Sequence, residues 1–111
     1  MQPESEKLLR DVLDCAGFLR GFIADRAMHE LETDRAFRSA VERELIIVGE
    51  ALFQLRQIDP ETAARVPEVN RIIAFRHILV HGYGAIEIEL VWSVLTSKLE
   101  SLMRDVERIL P

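Results

Sequence analysis

The stretch VPEVNRIIAFRHILVHGYG, residues 66–84, decides how the chain folds. It opens on Pro67, which has no N–H to donate and a fixed φ suited to a first helical turn. Apolar residues follow at Val69, Ile72, Ile73, Phe75, Leu79 and Val80, the three- and four-residue steps of one helix face. It closes on Gly82 and Gly84, which offer positive-φ termination. The spacing predicts a helix from Pro67 to the edge of HGYG, followed by an exit turn. Two of the chain's three histidines and its only tyrosine lie in this window, so polar chemistry gathers at the C-terminal half of one helix.

The segments on either side read the same way. Leu8, Leu9, Val12, Leu13, Ala16, Leu19, Phe22 and Ile23 predict a first helix from Pro3 to about Ala27, in which Gly17 and Gly21 cost propensity and permit close packing. HELETDR, residues 29–35, is a polar connection, with Thr33 or Asp34 as N-cap. Phe37, Val41, Leu45, Val48, Leu52 and Leu55 draw a second helix to about Arg56, and Ile46 and Ile47 widen its stripe, which places it centrally. Asp59-Pro60 is a cap followed by a first-turn proline, opening a short helical turn before Val66-Pro67. Ile88, Val91, Leu95, Leu99, Leu102, Val106 and Ile109 predict one long final helix to Pro111. With no hairpin signal and no repeat, the fold class is all-α: an antiparallel bundle of four main helices plus a short one.

At 111 residues the chain fits a single domain, 1–111. Its apolar runs are far shorter than the roughly 20 residues needed to cross a bilayer, and its first residues carry charge where an export signal is apolar. A cytoplasmic location is expected. Cys15 stands alone on an apolar face, which excludes an internal disulfide and points to a buried structural thiol. The net charge of −5 argues against a broad basic nucleic-acid surface but leaves room for a few cations converging in a cleft.

Arg76 and His81 are five residues apart, about 140° on a continuous helix, whereas Arg76 and Tyr83 share a face. A break after Val80 would let His81 swing toward Arg76 so that all three converge. An arginine grips phosphate in a bidentate fork, and an imidazole exchanges protons near neutral pH; together they suit phosphodiester cleavage by the RNA's own 2′-hydroxyl, which needs no metal. One imidazole does not readily serve as both base and acid at once, but two copies across a two-fold axis would supply both. Plainer readings stay open: an ion-paired Arg76, a capping His81-Gly82, a packing Tyr83. His77 and His81 at four-residue spacing suit a metal, yet no cysteine is near, and Ile78 stands where a zincin motif has glutamate; no metal or cofactor is assigned.

RHILVHGY, residues 76–83, is similar to the R-x4-H-x-Y signature of the HepT-like toxins, a branch of the HEPN superfamily of α-helical domains. VERELIIVGEAL, residues 41–52, resembles that family's second-helix segment ending in Gly-Glu-Ala, and VPEVNRIIAFRHILVHGYGAIEIELVW, residues 66–92, resembles its proline-led third helix, signature and final-helix entry. The resemblance covers roughly residues 34–110. It implies a HEPN-type homodimer acting as a metal-independent endoribonuclease on mRNA or tRNA, the toxin of a type VII toxin–antitoxin pair. By position, Arg76 would stabilise the phosphate, His81 would transfer protons, and Tyr83 would be AMPylated by a minimal nucleotidyltransferase antitoxin. An added nucleotide would bring bulk and negative charge to a site that RNA phosphate must enter. Two positions depart from the pattern. His77 stands where asparagine is common and would act as a supporting hydrogen-bonding group, and Asn70 stands where tryptophan often follows the proline turn. Glu50 reads either as orienting a cation at the site or as a plain helix charge or ion pair. Trp92 reads as core or interface packing. The alternative function is a catalytically silent helical dimer that binds a nucleotidyltransferase or a nucleotide.

Overall fold

Each of these apolar stripes becomes the buried face of a helix. The computed structural model describes residues 1–82 and 87–111. Among the described residues there are seven helices and no strand: α1 (Pro3–Phe22), α2 (Glu30–Thr33), α3 (Arg35–Ile58), α4 (Pro60–Ala63), α5 (Val69–His81), α6 (Ile88–Ser97) and α7 (Leu99–Ile109). The architecture is the expected all-α bundle. α3 is its axis: α1 packs along it most extensively, α5 lies against it, and α7 returns onto α1. Two clusters of buried side chains fill the interior. One holds Leu9, Val12, Leu52, Leu55, Val66 and Val106; the other holds Leu19, Leu31, Phe37, Val41, Leu79 and Leu95.

The helix starts follow local chemistry. Pro3 stands in the first turn of α1, where its missing N–H costs nothing. The Asp34 carboxylate accepts from the Phe37 N–H (3.0 Å) to cap α3, and Asp59 accepts from the Thr62 N–H (3.2 Å) to cap α4. Capping by an oxygen acceptor satisfies an N–H that the first turn leaves free. The corner between α1 and α3 is held by Arg26. Its guanidinium lies 4.5 Å from the Phe37 ring centroid and pairs with Glu30 (3.3 Å) and Asp34 (3.2 Å).

Four features differ from expectation. α5 starts at Val69 with Glu68 as its N-cap, so Pro67 lies in the turn before the helix and not in its first turn. α1 ends at Phe22 rather than near Ala27, because the chain tightens into turns in which Ala24 N–H donates to Gly21 O and Arg26 N–H to Ile23 O. The polar connection contains a second short helix, α2. The long final helix is broken at Lys98, whose φ of −113° ends α6 and starts α7. Just before the break, the Thr96 hydroxyl donates back to the Trp92 carbonyl (2.8 Å), a bond that competes with the helical ladder and bends it. Val91 and Leu95 of α6 share one cluster with Leu99 and Met103 of α7, while Leu102, Val106 and Ile109 of α7 enter the other.

Cys15 is buried, as its position on the α1 stripe implies. Burial, reinforced by the nearby Glu44, Asp11 and Asp14 carboxylates, pushes its thiol up to about 11, so the reactive thiolate is scarce at neutral pH. No helix among the described residues is long and apolar enough to cross a membrane.

Ser5 is the polar side chain sealed in the core. Its hydroxyl donates to Asp59 Oδ2 (2.7 Å), tying the start of α1 to the α3–α4 junction. That bond, with help from the Thr62 side chain and N–H, holds the Asp59 carboxyl below the usual carboxylate range. A carboxylate depressed in the folded state contributes stability that is fully present above its unfolded pKa, about 3.9, and is lost as pH falls through the folded value. Ser5→Ala should therefore be less stable than wild type at neutral pH, and urea titrations down a pH series should show the gap narrowing in acid. A gap that does not change with pH would contradict this linkage.

Candidate active site

Arg76 occupies an unusual place on α5. Counting 100° per residue, it lies at the middle of the face that also carries the buried Val69, Ile73 and Leu79. A cation there needs both room and compensation. Room comes from Gly49 on α3: a Cβ on that residue would overlap the Arg76 Cβ and lie 2.7 Å from its Cγ and 3.5 Å from its Cα. The two backbones thus approach over a hydrogen where any other residue has carbon. Compensation comes from the next residue, Glu50, whose Oε2 lies 2.6 Å from Arg76 Nη2. Phe53, one turn further on, places its ring centroid 5.9 Å from the guanidinium carbon, and Gln54 Nε2 donates to the other Glu50 oxygen (3.3 Å).

The pair is held without being saturated. Arg76 Nε is enclosed and has no hydrogen-bond partner, and the contact at Glu50 Oε2 is an ion pair without hydrogen-bond alignment. About a quarter of the Arg76 side chain, 26%, still reaches solvent. A guanidinium held in position in this way is pre-organised for an anion that reaches its donor fork. Glu50 is thus ion-paired, and its partner is the arginine that the cation-orienting reading concerns, so the two readings of Glu50 meet in one contact.

α5 continues as regular helix through His81, and its C-cap, Gly82, has φ −80° and ψ −10° and does not itself take the positive φ expected of it. The break after Val80 that would have turned His81 toward Arg76 does not occur. His81 pairs instead with His77, one turn back, with ring centroids 4.5 Å apart and planes inclined by 53°. Both imidazoles are exposed, on a strip with Asn70, Ala74 and Ile78. Among the described residues no hydrogen bond joins Arg76 to either histidine. One chain therefore brings Arg76 to Glu50 and His77 to His81, and keeps the two pairs on different sides of α5. Tyr83 lies outside the described residues.

The reading by residue type missed Gly49 and Phe53. A signal was present: Gly49 stands four residues after Leu45 and four before Phe53 on the apolar stripe of α3, where a glycine marks a close approach of another backbone. The two glycines singled out in α1 do not serve that purpose. A Cβ on Gly21 would meet nothing within 4 Å, and one on Gly17 would make only an ordinary contact with Met103.

The apolar surface around the site is extensive. α5 and the α6–α7 pair splay apart over α3, leaving a groove of about 560 Å³ floored by Leu45 and Val48 and walled by Ile72, Phe75, Leu90 and Val94. Leu90 of that wall is 43% exposed, and beyond the groove Ile78 (45%) and Val80 (39%) are exposed on α5.

The family model described as Ribonuclease HepT-like matches residues 12–109. Two proteins of Methanocaldococcus jannaschii are similar over most of their length. The one named "Putative RNase MJ1380" is 30% identical over 101 residues, covering 89% of this chain and 90% of its own. The one named "Putative RNase MJ0127" is 25% identical over 104 residues, covering 92% and 84%. No solved structure gives a significant match.

The Gly49–Arg76 approach makes a paired prediction. Gly49→Ala should lose about 1–3 kcal/mol of stability, because a well-packed crossing must open. Gly21→Ala, in open helical space, should gain about 0.5–1 kcal/mol. Chemical denaturation of the two variants beside wild type measures both; equal and small effects would mean that the crossing at Gly49 has slack.

Proposed function

The chain belongs to the HepT-like ribonuclease family, and from that premise we propose that it is a metal-independent endoribonuclease whose site forms across the two-fold axis of a homodimer. The observation that supports this most strongly is the division of labour on α5. Arg76 is anchored by Gly49, Glu50 and Phe53, while His81 stands exposed about 140° away around the same helix. A single copy does not unite them; a second copy facing it does. The exposed Ile78, Val80 and Leu90 supply apolar surface of the kind that oligomers cover.

In this reading one His81 takes the proton from a 2′-hydroxyl, the 2′-oxygen bonds to phosphorus, and the bond to the 5′-oxygen breaks as the partner's His81 gives that oxygen a proton. The products are a 2′,3′-cyclic phosphate and a 5′-hydroxyl. Arg76 carries the negative charge that builds on the phosphorane oxygens, and His77 offers a further hydrogen bond beside His81. The substrate is mRNA or tRNA in the cytoplasm. The chain acts as the toxin of a toxin–antitoxin pair, silenced when a nucleotidyltransferase antitoxin transfers AMP from ATP to Tyr83. A bulky anion at that position would repel and exclude the RNA backbone. The Glu50 carboxylate, which already compensates Arg76, favours a second reading, a silent dimer that binds the nucleotidyltransferase or a nucleotide.

Cleavage of RNA by unmodified protein in excess EDTA separates the two. Wild type should cut and leave 2′,3′-cyclic ends. His81→Ala should lose about 10²–10⁴ of the rate, and Arg76→Lys, which keeps the charge beside Glu50 but not the fork, should lose about 10-fold or more. Circular dichroism confirms that each variant is folded. No cleavage of mRNA or tRNA by a verified dimer would turn the assignment to the silent partner.

A further inference from the structure

The exposed pair His77 and His81 does something the proposed ribonuclease reaction does not require. Because α5 stays helical to its last residue, the two imidazoles remain one turn apart on one face. Their centroids are 4.5 Å apart, and the planes are inclined rather than stacked. Side chains at i and i+4 are neighbours on a helix surface, and two neutral imidazoles at that spacing can each turn a ring nitrogen toward a single ion about 2.0–2.1 Å away. Among the described residues no group of three or more histidines, cysteines and carboxylates gathers at one point. A hard, oxygen-seeking cation such as Mg²⁺ or Ca²⁺ has nothing to hold it here, whereas imidazole suits Zn²⁺, Ni²⁺ and Cu²⁺.

We propose that His77 and His81 form a two-imidazole clamp for a borderline-soft divalent metal ion, and that its occupation takes His81 out of proton transfer. A nitrogen lone pair donated to a metal cannot accept a proton, so the bound ion inhibits cleavage instead of supporting it. The remaining coordination positions face solvent and take water. A cleft that admits RNA also admits a hydrated ion, so the clamp stays reachable in the dimer. Binding depends only on the geometry of α5. Inhibition rests on the reading of His81 as the proton-transferring residue.

The test uses tag-free full-length protein, with Ni²⁺ as the probe and the histidine ring resonances followed by NMR. Ni²⁺ should broaden the rings of His77 and His81 together at the lowest additions and leave His29, the third histidine, sharp. His77→Asn should bind about 10²-fold more weakly, since the second imidazole acts as an intramolecular ligand. Parallel broadening of all three rings, or unchanged affinity in His77→Asn, would overturn the clamp. For the second half, wild type should fall about 10-fold or more below its own metal-free cleavage rate at saturating Ni²⁺ and recover with EDTA. His77→Asn at the same Ni²⁺ should stay within about twofold of its own metal-free rate, as its lost chelation predicts. A saturated clamp with undiminished cleavage would overturn the inhibition. If the metal-free protein does not cut RNA at all, the ribonuclease reading fails while ring broadening still decides the clamp.

Discussion

Everything around the site depends on one close crossing, Gly49 of α3 against Arg76 of α5. An arginine at the centre of a helix's packing face is costly unless the opposing surface is cut away and charged to match. Consecutive residues on α3 supply both conditions: Gly49 removes a side chain, and Glu50 brings a carboxylate to 2.6 Å. The crossing fixes the distance between α3 and α5, and with it the position of the guanidinium. Since α1 packs along the same α3, the helix that holds the candidate catalytic cation is also the axis of the fold. Loss of the crossing would be felt in stability and in chemistry together.

The second constraint is the straightness of α5. A helix that broke before His81 would allow a site within one chain; a helix that runs through it does not, because five residues of regular helix turn by about 140°. That continuity sends Arg76 toward α3 and the two histidines toward solvent, beside exposed Ile78 and Val80. Two half-sites, each with its own support, are what a symmetric dimer would join. The same continuity creates the His77–His81 pair, so the features that point to an interfacial ribonuclease and to a metal clamp share a physical origin.

Much of this was legible in the residues. The apolar stripes placed all the long helices, and the Asp34 and Asp59-Pro60 signals marked the helix starts they form. The end of α5 at the glycines was also readable, though Gly82 ends it without the positive φ that glycine permits. The break at Lys98 was not readable, because the stripe from Ile88 to Ile109 runs through it in phase and the cause is a hydroxyl bonding back to the ladder at Thr96. Periodicity does not encode that choice. Within the site, residue chemistry singled out Arg76, His77 and His81 and the family resemblance added Glu50, but close packing was assigned to the glycines of α1 instead of Gly49. Which backbone a glycine meets is a tertiary fact, and only the opposing helix supplies it. The supporting ring of Phe53 was hidden in the same way, since on the sequence it is one more apolar residue of α3.

The central claim is that catalysis needs His81 from two chains at once. Its most direct test is a dimer purified with one wild-type protomer and one His81→Ala protomer, by tandem affinity tags that are then removed, and assayed for RNA cleavage in EDTA. A composite site predicts that this mixed dimer is nearly as inactive as the double variant. About half of the wild-type rate, as expected if each protomer carried a self-sufficient site, would contradict the claim.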